Sequence, residues 1–261
     1  MTTAPFDPGL WVSALPFLLV AAAFTWLVTL PLRSLSLADS LWSLLLFAAA
    51  VIYALGSDPR APRLSLVLWL TAAWAARLAV YLTARNAGRG ESWRYHALRE
   101  RHGRGFTLRS LLLVFAAQAL LAWIISLPLL GAFASIRPLG ALDALGALLW
   151  LAGFLVEAGA DWQLARFRAN PANAGAVLHS GLWRYTRHPN YFGECCVWWG
   201  LWLVALAAGA WWSFPGPLLL TWLLLRGSGI PGLERHLGNR LPGYADYVLK
   251  TNAFFPSRPR K

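Results

Sequence analysis

The residues from Leu178 to Gly200, LHSGLWRYTRHPNYFGECCVWWG, concentrate groups that can do chemistry. Two arginines, two histidines, six aromatic rings, an asparagine and a glutamate stand there between one hydrophobic segment and the next. Arg184, Tyr185, Arg187 and His188 suit a phosphate and a flat ring, because guanidinium groups grip oxyanions in a fork and stack on planar systems. His188-Pro189 favours an extended or turn conformation ahead of a helix that begins at about Asn190. On that helix Asn190 and Glu194 are four residues apart, so a carboxamide and a carboxylate share one face and could bind an amide or ribose hydroxyls. Asn190 taken alone also fits a helix N-cap. The combination points to a cofactor-binding site at a membrane boundary.

The elements that must position this stretch are set by composition. Of 261 residues, 58% are hydrophobic and 13% charged, and the mean hydropathy is +0.50. Soluble domains carry about a quarter charged residues, so the expected class is an all-α, polytopic membrane protein in one domain, 1–261. The formal charge of +12 does not indicate nucleic acid, because the basic residues are scattered through short loops. Cys195 and Cys196 are adjacent and sit in an apolar run, which gives neither a disulfide framework nor a metal site. The N-terminal residues lack a basic n-region, so the first apolar stretch is expected to be a retained span.

Seven apolar segments are expected, at 10–32, 37–55, 64–84, 111–130, 139–164, 191–208 and 211–225. The last two are short enough for a hairpin that does not fully cross. Segments 85–109 and 166–189 are too polar to span. Nineteen of the 23 basic residues follow the first, third, fifth and seventh segments. The positive-inside rule then puts the N-terminus outside and the C-terminus in the cytoplasm. Loops 85–109 and 166–189 and the tail 226–261 would form one cytosolic, cofactor-facing surface. Tryptophan pairs such as Trp198-Trp199 and Trp211-Trp212 fit interfacial or lipid-facing positions.

Ionisable groups at membrane depth cost about 3 kcal/mol each on insertion scales unless paired or hydrated, so they mark function or structure worth keeping. Glu157, Asp161 and Arg168 are spaced along one side of a helix that emerges into the 166–189 loop, where Asp161 and Arg168 could grip opposite ends of a bound molecule. A helix-end ion pair is the structural alternative. Arg77 lies in mid-span with Trp74 before it and Tyr81 and Arg85 after it on the same face. It could pair with Asp39 or Glu157, or face a substrate. Asp39 and Trp42, three apart on the second segment, could face the same cavity.

These residues carry a resemblance. Gly181 to Glu194, with Asp161, Arg168, Ser228-Gly-Ile-Pro, Glu234, Tyr244, Tyr247, Pro256, Asp39-Ser-Leu-Trp42 and the stretch from Arg77 to Tyr95, is similar to the steroid 5-alpha-reductase superfamily, and within it to a bacterial multi-span branch. The resemblance covers most of the chain after about residue 37. It implies a seven-helix enzyme of the membrane, here a bacterial inner membrane, that binds NADPH from the cytosol. Such an enzyme reduces a carbon-carbon double bond conjugated to a ketone in a lipid or steroid-like substrate. By this resemblance the cofactor residues would be Asp161, Arg168, Tyr185, Arg187, His188, Asn190, Tyr191, Glu194, Tyr244 and Tyr247. Asn190 and Glu194 would meet the nicotinamide end.

The substrate side departs from the family pattern. Animal steroid reductases carry a Gln-Glu pair on the second helix and a tyrosine on the third; this chain has Asp39 and Trp74 there, and Glu157 where an asparagine is expected. Asp39, Trp74, Arg77 and Tyr81 are the candidate catalytic residues. Membrane methyltransferases of the isoprenylcysteine carboxyl and phospholipid type share the Arg-His-Pro-x-Tyr turn, a downstream glutamate, a Tyr-x-x-Tyr pair and a closing proline, and use S-adenosylmethionine. A non-enzymatic lipid-binding protein is the third reading.

Overall fold

Asp7 accepts the backbone N–H of Leu10 at 2.9 Å and Pro8, with no N–H to leave orphaned, opens the first turn; together they start α1 (Pro8–Leu32). The structure is a computed structural model and describes residues 3–88, 90–227 and 229–260. Arg89 and Lys261 of the basic segments, and Ser228 of the family pattern, lie outside the described residues. After α1 come α2 (Leu37–Leu55), α3 (Pro62–Asn86), α4 (Trp93–His102) and α5 (Phe106–Ser110). A π-helical stretch, Leu111–Ala116, leads into α6 (Ala117–Ile125) and α7 (Leu127–Phe133). Then follow α8 (Ala141–Ala169), α9 (Pro189–Ala207), α10 (Pro215–Leu225), α11 (Ile230–Arg240) and α12 (Tyr244–Lys250). The protein is all-α, 77% helical, with no strand among the described residues.

Among the described residues, five helical runs are long and apolar enough to cross a membrane: α1, α2, α3, the run Trp93–Phe133, and α8. The chain is therefore a multi-pass membrane protein. The expected bounds of α2 are those observed, α1 and α3 extend two residues past theirs at the start or at both ends, and α8 starts two residues later than expected and ends five later. Segment 85–109, expected as a polar loop, instead contains α4. Arg99 pairs with Glu91 at 2.9 Å, and Arg99, Arg101 and His102 occupy the last turn, where cations favour the helix dipole. α10, at 11 residues, reaches only about 16 Å, well short of the roughly 30 Å hydrocarbon core.

The chain divides into two compact units, Met1–Asp143 with Val204–Gly216, and Ala144–Leu203 with Pro217–Lys261. In the first, α2 is central, packing on α1, α3, α6 and α7. Over half of its apolar stretch is buried, against 17% for the peripheral α1. Polar contacts join α2 to α3: Ser40 Oγ meets Thr83 Oγ1 at 2.8 Å, and Ser43 Oγ donates to the Ala75 carbonyl at 3.1 Å. Small polar residues serve this way where lipid supplies no hydrophobic drive between helices. Arg63 and Asp143 form a fully buried ion pair at 2.8 Å, and Arg63 also donates to the carbonyls of Arg137 and Pro138. With these donors and acceptors matched, the buried charges are tolerated.

In the second unit the antiparallel helices α8 and α9 touch backbone to backbone. A Cβ added at Gly153 would lie 2.6 Å from the Gly193 carbonyl oxygen, one at Gly193 would lie 2.6 Å from the Glu157 nitrogen, and one at Gly200 would lie 2.7 Å from the Gly146 carbonyl oxygen. Glycines seven apart on each helix, Gly146 and Gly153 facing Gly193 and Gly200, make this approach possible. Trp198 is fully buried, which corrects its expected interfacial or lipid-facing position: α9 is also enclosed on the side away from the glycine seam, where Leu201 and Ala205 are buried with it. Its neighbour Trp199 donates to Thr221 Oγ1 at 3.1 Å.

Candidate functional site

The polar turn before α9 is built onto α8 and the C-terminal tail. Gly181 has φ +60°, and a side chain there would collide with Gln163, whose Oε1 accepts the Leu182 N–H at 3.0 Å. One 3-10 turn later Trp183 donates its indole N–H to the Ala160 carbonyl at 3.1 Å. The tail then closes over the turn. Arg187 N–H donates to the Asn252 carbonyl at 2.9 Å, Thr186 Oγ1 donates to the Ala253 carbonyl at 3.1 Å, and the Tyr247 hydroxyl donates to the Trp183 carbonyl.

Arg187 and His188 meet at one carboxylate. Arg187 Nε donates to Glu234 Oε1 at 2.7 Å, and its terminal nitrogen donates to the carbonyls of Val248 and Thr251. His188 Nε2 lies 3.0 Å from the same Glu234 oxygen, and its ring stacks on Tyr191 with centroids 5.6 Å apart. Burial pushes His188 below its ordinary value, an effect that Glu234 only partly offsets. Burial would raise Glu234, but hydrogen bonds from His188 and Arg187 more than compensate and hold it at about 2. At neutral pH the arrangement is thus a neutral histidine with its proton on Nε2, an ionised carboxylate and an arginine. Burial pushes Tyr244 up to about 12 and also raises Tyr247, so both remain neutral phenols.

The next layer is set by the glycine seam. Asn190 occupies the second position of α9, not its N-cap, and its Nδ2 donates to Asp161 Oδ1 at 3.2 Å. Asp161 is 3% exposed, Glu157 2% and Glu194 8%, so three enclosed carboxylates and the half-buried Asn190 carboxamide stand on facing turns of α8 and α9. Such a group can accept from amide N–H or hydroxyl groups and favours a ligand that carries donors or partial positive charge. Arg168, two turns beyond Asp161, is exposed, and Tyr185 is 45% exposed. Beside the end of α8 lies a groove of about 600 Å³ lined by Trp162, Gln163, Arg166, Phe167, Asn170 and Asn173, together with the 178–181 turn. A second groove, of about 370 Å³, is lined by His179, Arg184, Tyr247 and Lys250 among others.

The structure therefore brings the cofactor candidates together in two sets. Arg187, His188, Tyr191, Tyr244 and Tyr247 belong to the clamp on Glu234, and Asp161, Asn190 and Glu194 to the buried layer. Arg168 and Tyr185 face outward. Segments 166–189 and 226–261 are joined through the clamp, while 85–109 belongs to the first unit.

In the first unit Asp39 is a hub. It accepts from Arg85 at 2.8 Å, Asn86 at 3.1 Å, Arg94 at 3.2 Å and the Tyr95 hydroxyl at 2.8 Å. These contacts tie α2 to the end of α3 and to α4. Trp74 is fully buried in the core, and Arg77 is half-buried one turn further along α3. The Tyr81 ring lies under the Arg85 guanidinium, 5.9 Å from its centroid.

The sequence reading missed Glu234 as the partner of both Arg187 and His188, Gln163 as the anchor of the Gly181 turn, and the four seam glycines. Only the last carried a local signal, the sevenfold spacing of glycines in two apolar runs.

Comparison with known proteins supplies the relationship. The family model described as protein of unknown function (DUF1295) matches residues 25–251. The chain is also 26% identical, over 97% of its length and 80% of the relative's, to an uncharacterized protein, C594.04c, of Schizosaccharomyces pombe. No solved structure matches significantly. With its clamp and buried layer inside the matched region, the chain belongs to the DUF1295 family.

Proposed function

We propose that the protein is an NADPH-dependent reductase that acts on an activated carbon-carbon double bond of a lipid or steroid-like substrate. In this reading it sits in a bacterial inner membrane with seven apolar segments, the N-terminus outside and the C-terminus cytoplasmic: the first five cross, and α9 with α10 enters from the cytoplasm and returns as a hairpin that does not fully cross. The observation that carries the reading is the hydrogen bond between Asp161 and Asn190, 29 residues apart, inside a layer with Glu157 and Glu194. Of these, the resemblance to steroid 5-alpha-reductases expects Asn190 and Glu194 to meet the nicotinamide end and Asp161 the ribose and phosphates.

The donor set fits that group. Asn190 has its carboxamide oxygen available as an acceptor, and the carboxylates of Asp161 and Glu194 suit an amide N–H or ribose hydroxyls. Exposed Arg168 suits a phosphate. Arg187 and His188 are engaged with Glu234 and the tail, so their part is to fix the turn from which α9 starts. When bound, NADPH supplies a hydride to the β-carbon of the conjugated system. On the substrate side, half-buried Arg77 and Tyr81 are the groups to polarise a carbonyl oxygen, with Trp74 packed behind them and Asp39 fixing the helix ends.

Thermal-shift measurements on the purified protein with NADPH, NADH and S-adenosylmethionine test the proposal. At about a hundredfold over its dissociation constant a ligand adds about 2.7 kcal/mol, or roughly 5–10 °C for a chain of this size. NADPH should give this shift. A shift with S-adenosylmethionine alone would establish the methyltransferase reading instead, and silence from all three would favour a lipid-binding protein without a nucleotide.

A further inference from the structure

The basic residues around α4 and α5 divide into two classes. Arg85 and Arg94 hold Asp39, and Arg99 holds Glu91 while its guanidinium lies 5.2 Å from the Phe106 ring centroid. Arg101, Arg104 and Arg109 are exposed and, among the described residues, make no hydrogen bond or ion pair. Glu100, the one acid between positions 92 and 113, is exposed and pairs with none of them. The Arg109 guanidinium folds back over the turn beside Gly105, where a Cβ would lie 3.5 Å from Arg109 Nε, an ordinary contact.

Directly beyond these cations the surface becomes apolar. Leu108 is 73% exposed and Leu112 69%, while Phe106, Ser110, Val114 and Phe115 turn inward. Positions 104, 108 and 112 recur every four residues in the continuous helical run that starts at Gly103, so they form one stripe from an unpaired arginine to uncovered leucines, with Arg101 just across the Gly103 turn that ends α4 and Arg109 beside Leu108.

We propose that this stripe is a binding surface for an anionic phospholipid headgroup, its phosphate held by Arg101, Arg104 and Arg109 and its acyl chain laid along Leu108 and Leu112. Three exposed cations with no acidic partner on one short segment favour an anion, and an anionic leaflet provides one. The order of groups along the stripe selects a lipid over a soluble phosphate, because only a lipid presents charge and hydrocarbon in that sequence. The inference is independent of the reductase reading and concerns the first unit alone.

The test is the melting temperature of the detergent-purified protein during titration with phosphatidylglycerol, phosphatidylcholine or inorganic pyrophosphate. Phosphatidylglycerol should stabilise at concentrations where phosphatidylcholine does not. Each arginine near an anionic surface is worth about fivefold, so the triple variant R101Q/R104Q/R109Q should raise the half-maximal phosphatidylglycerol concentration on the order of a hundredfold. The triple lysine variant should retain most of the response. An unchanged titration in the glutamine variant, or equal stabilisation by the two lipids, overturns the proposal. Pyrophosphate reproducing the phosphatidylglycerol shift overturns it as well, by assigning the cations to a soluble phosphate. Should the glutamine variant fail to fold, salt decides the matter on the unaltered protein. The phosphatidylglycerol preference should shrink as ionic strength screens the arginines, and a salt-independent preference contradicts it.

Discussion

Glu234 holds two bases and lets only one carry charge. Arg187 supplies the cation, and His188, 1% exposed, remains neutral because solvating a second positive charge there is more costly than the carboxylate repays. This gives the folded protein a defined response to acid. Below about pH 6.5 an unfolded histidine takes up a proton that buried His188 resists, so the unfolded state binds more protons and stability falls as pH falls. Glu234, held at about 2, adds a loss of the same sign below its ordinary value of 4.5. The melting temperature should therefore decline from pH 7 to pH 5. In His188→Gln, which keeps a donor toward Glu234 without titrating, the decline should be shallower. An identical slope in the variant would show that His188 does not carry the effect.

The α8–α9 seam governs the element scale. Gly193 faces the Glu157 nitrogen so closely that an alanine must push the two helices apart or displace backbone, and both helices are too long to yield locally. Gly193→Ala should destabilise the protein by about 2–3 kcal/mol, read as a fall in melting temperature, as overpacking in a close-packed interior does. It should also weaken NADPH binding, because the Asn190–Asp161 contact depends on the helix spacing. Gly140→Ala, at a position with open space, should change neither. A Gly193→Ala protein that melts and binds like the unaltered one would contradict the seam.

At the scale of the whole molecule, the sequence announces its spans more readily than its contacts. The bounds of α2 follow from a largely apolar run between Ser36 and Gly56 that carries only Asp39, Ser40 and Ser43 as polar residues, and Pro8 and Pro62 mark helix starts by local chemistry. Helix α4 was not legible because its hydrophobicity is low and its stability comes from Glu91 pairing with Arg99 and from Arg94 and Tyr95 reaching Asp39. Arg187 is legible as important, yet its partner Glu234 stands 47 residues away, a distance that no local pattern encodes. Asn190 and Asp161 could be named as site residues from their motif, while their hydrogen bond required the glycine spacing to be read as a helix seam. Orientation is open to a direct check. Single cysteines introduced at Arg137 and at Arg104, with Cys195 and Cys196 replaced by alanine, should react with an impermeant maleimide from outside and from the cytoplasm respectively. Labelling of both from the same side would refute the seven-segment topology.

The central claim is that the layer of Asp161, Asn190 and Glu194 binds NADPH, with Asn190 and Glu194 at its nicotinamide end, and equilibrium titration of NADPH into the purified protein and its Asn190→Ala variant tests it most directly. A hydrogen-bonding group lost from such a site is worth about 1.5 kcal/mol, so the variant should bind roughly tenfold more weakly and, since Asp161 loses a donor, also melt a few degrees lower without ligand. Equal affinity in the two proteins, or no NADPH binding in either, would contradict the account.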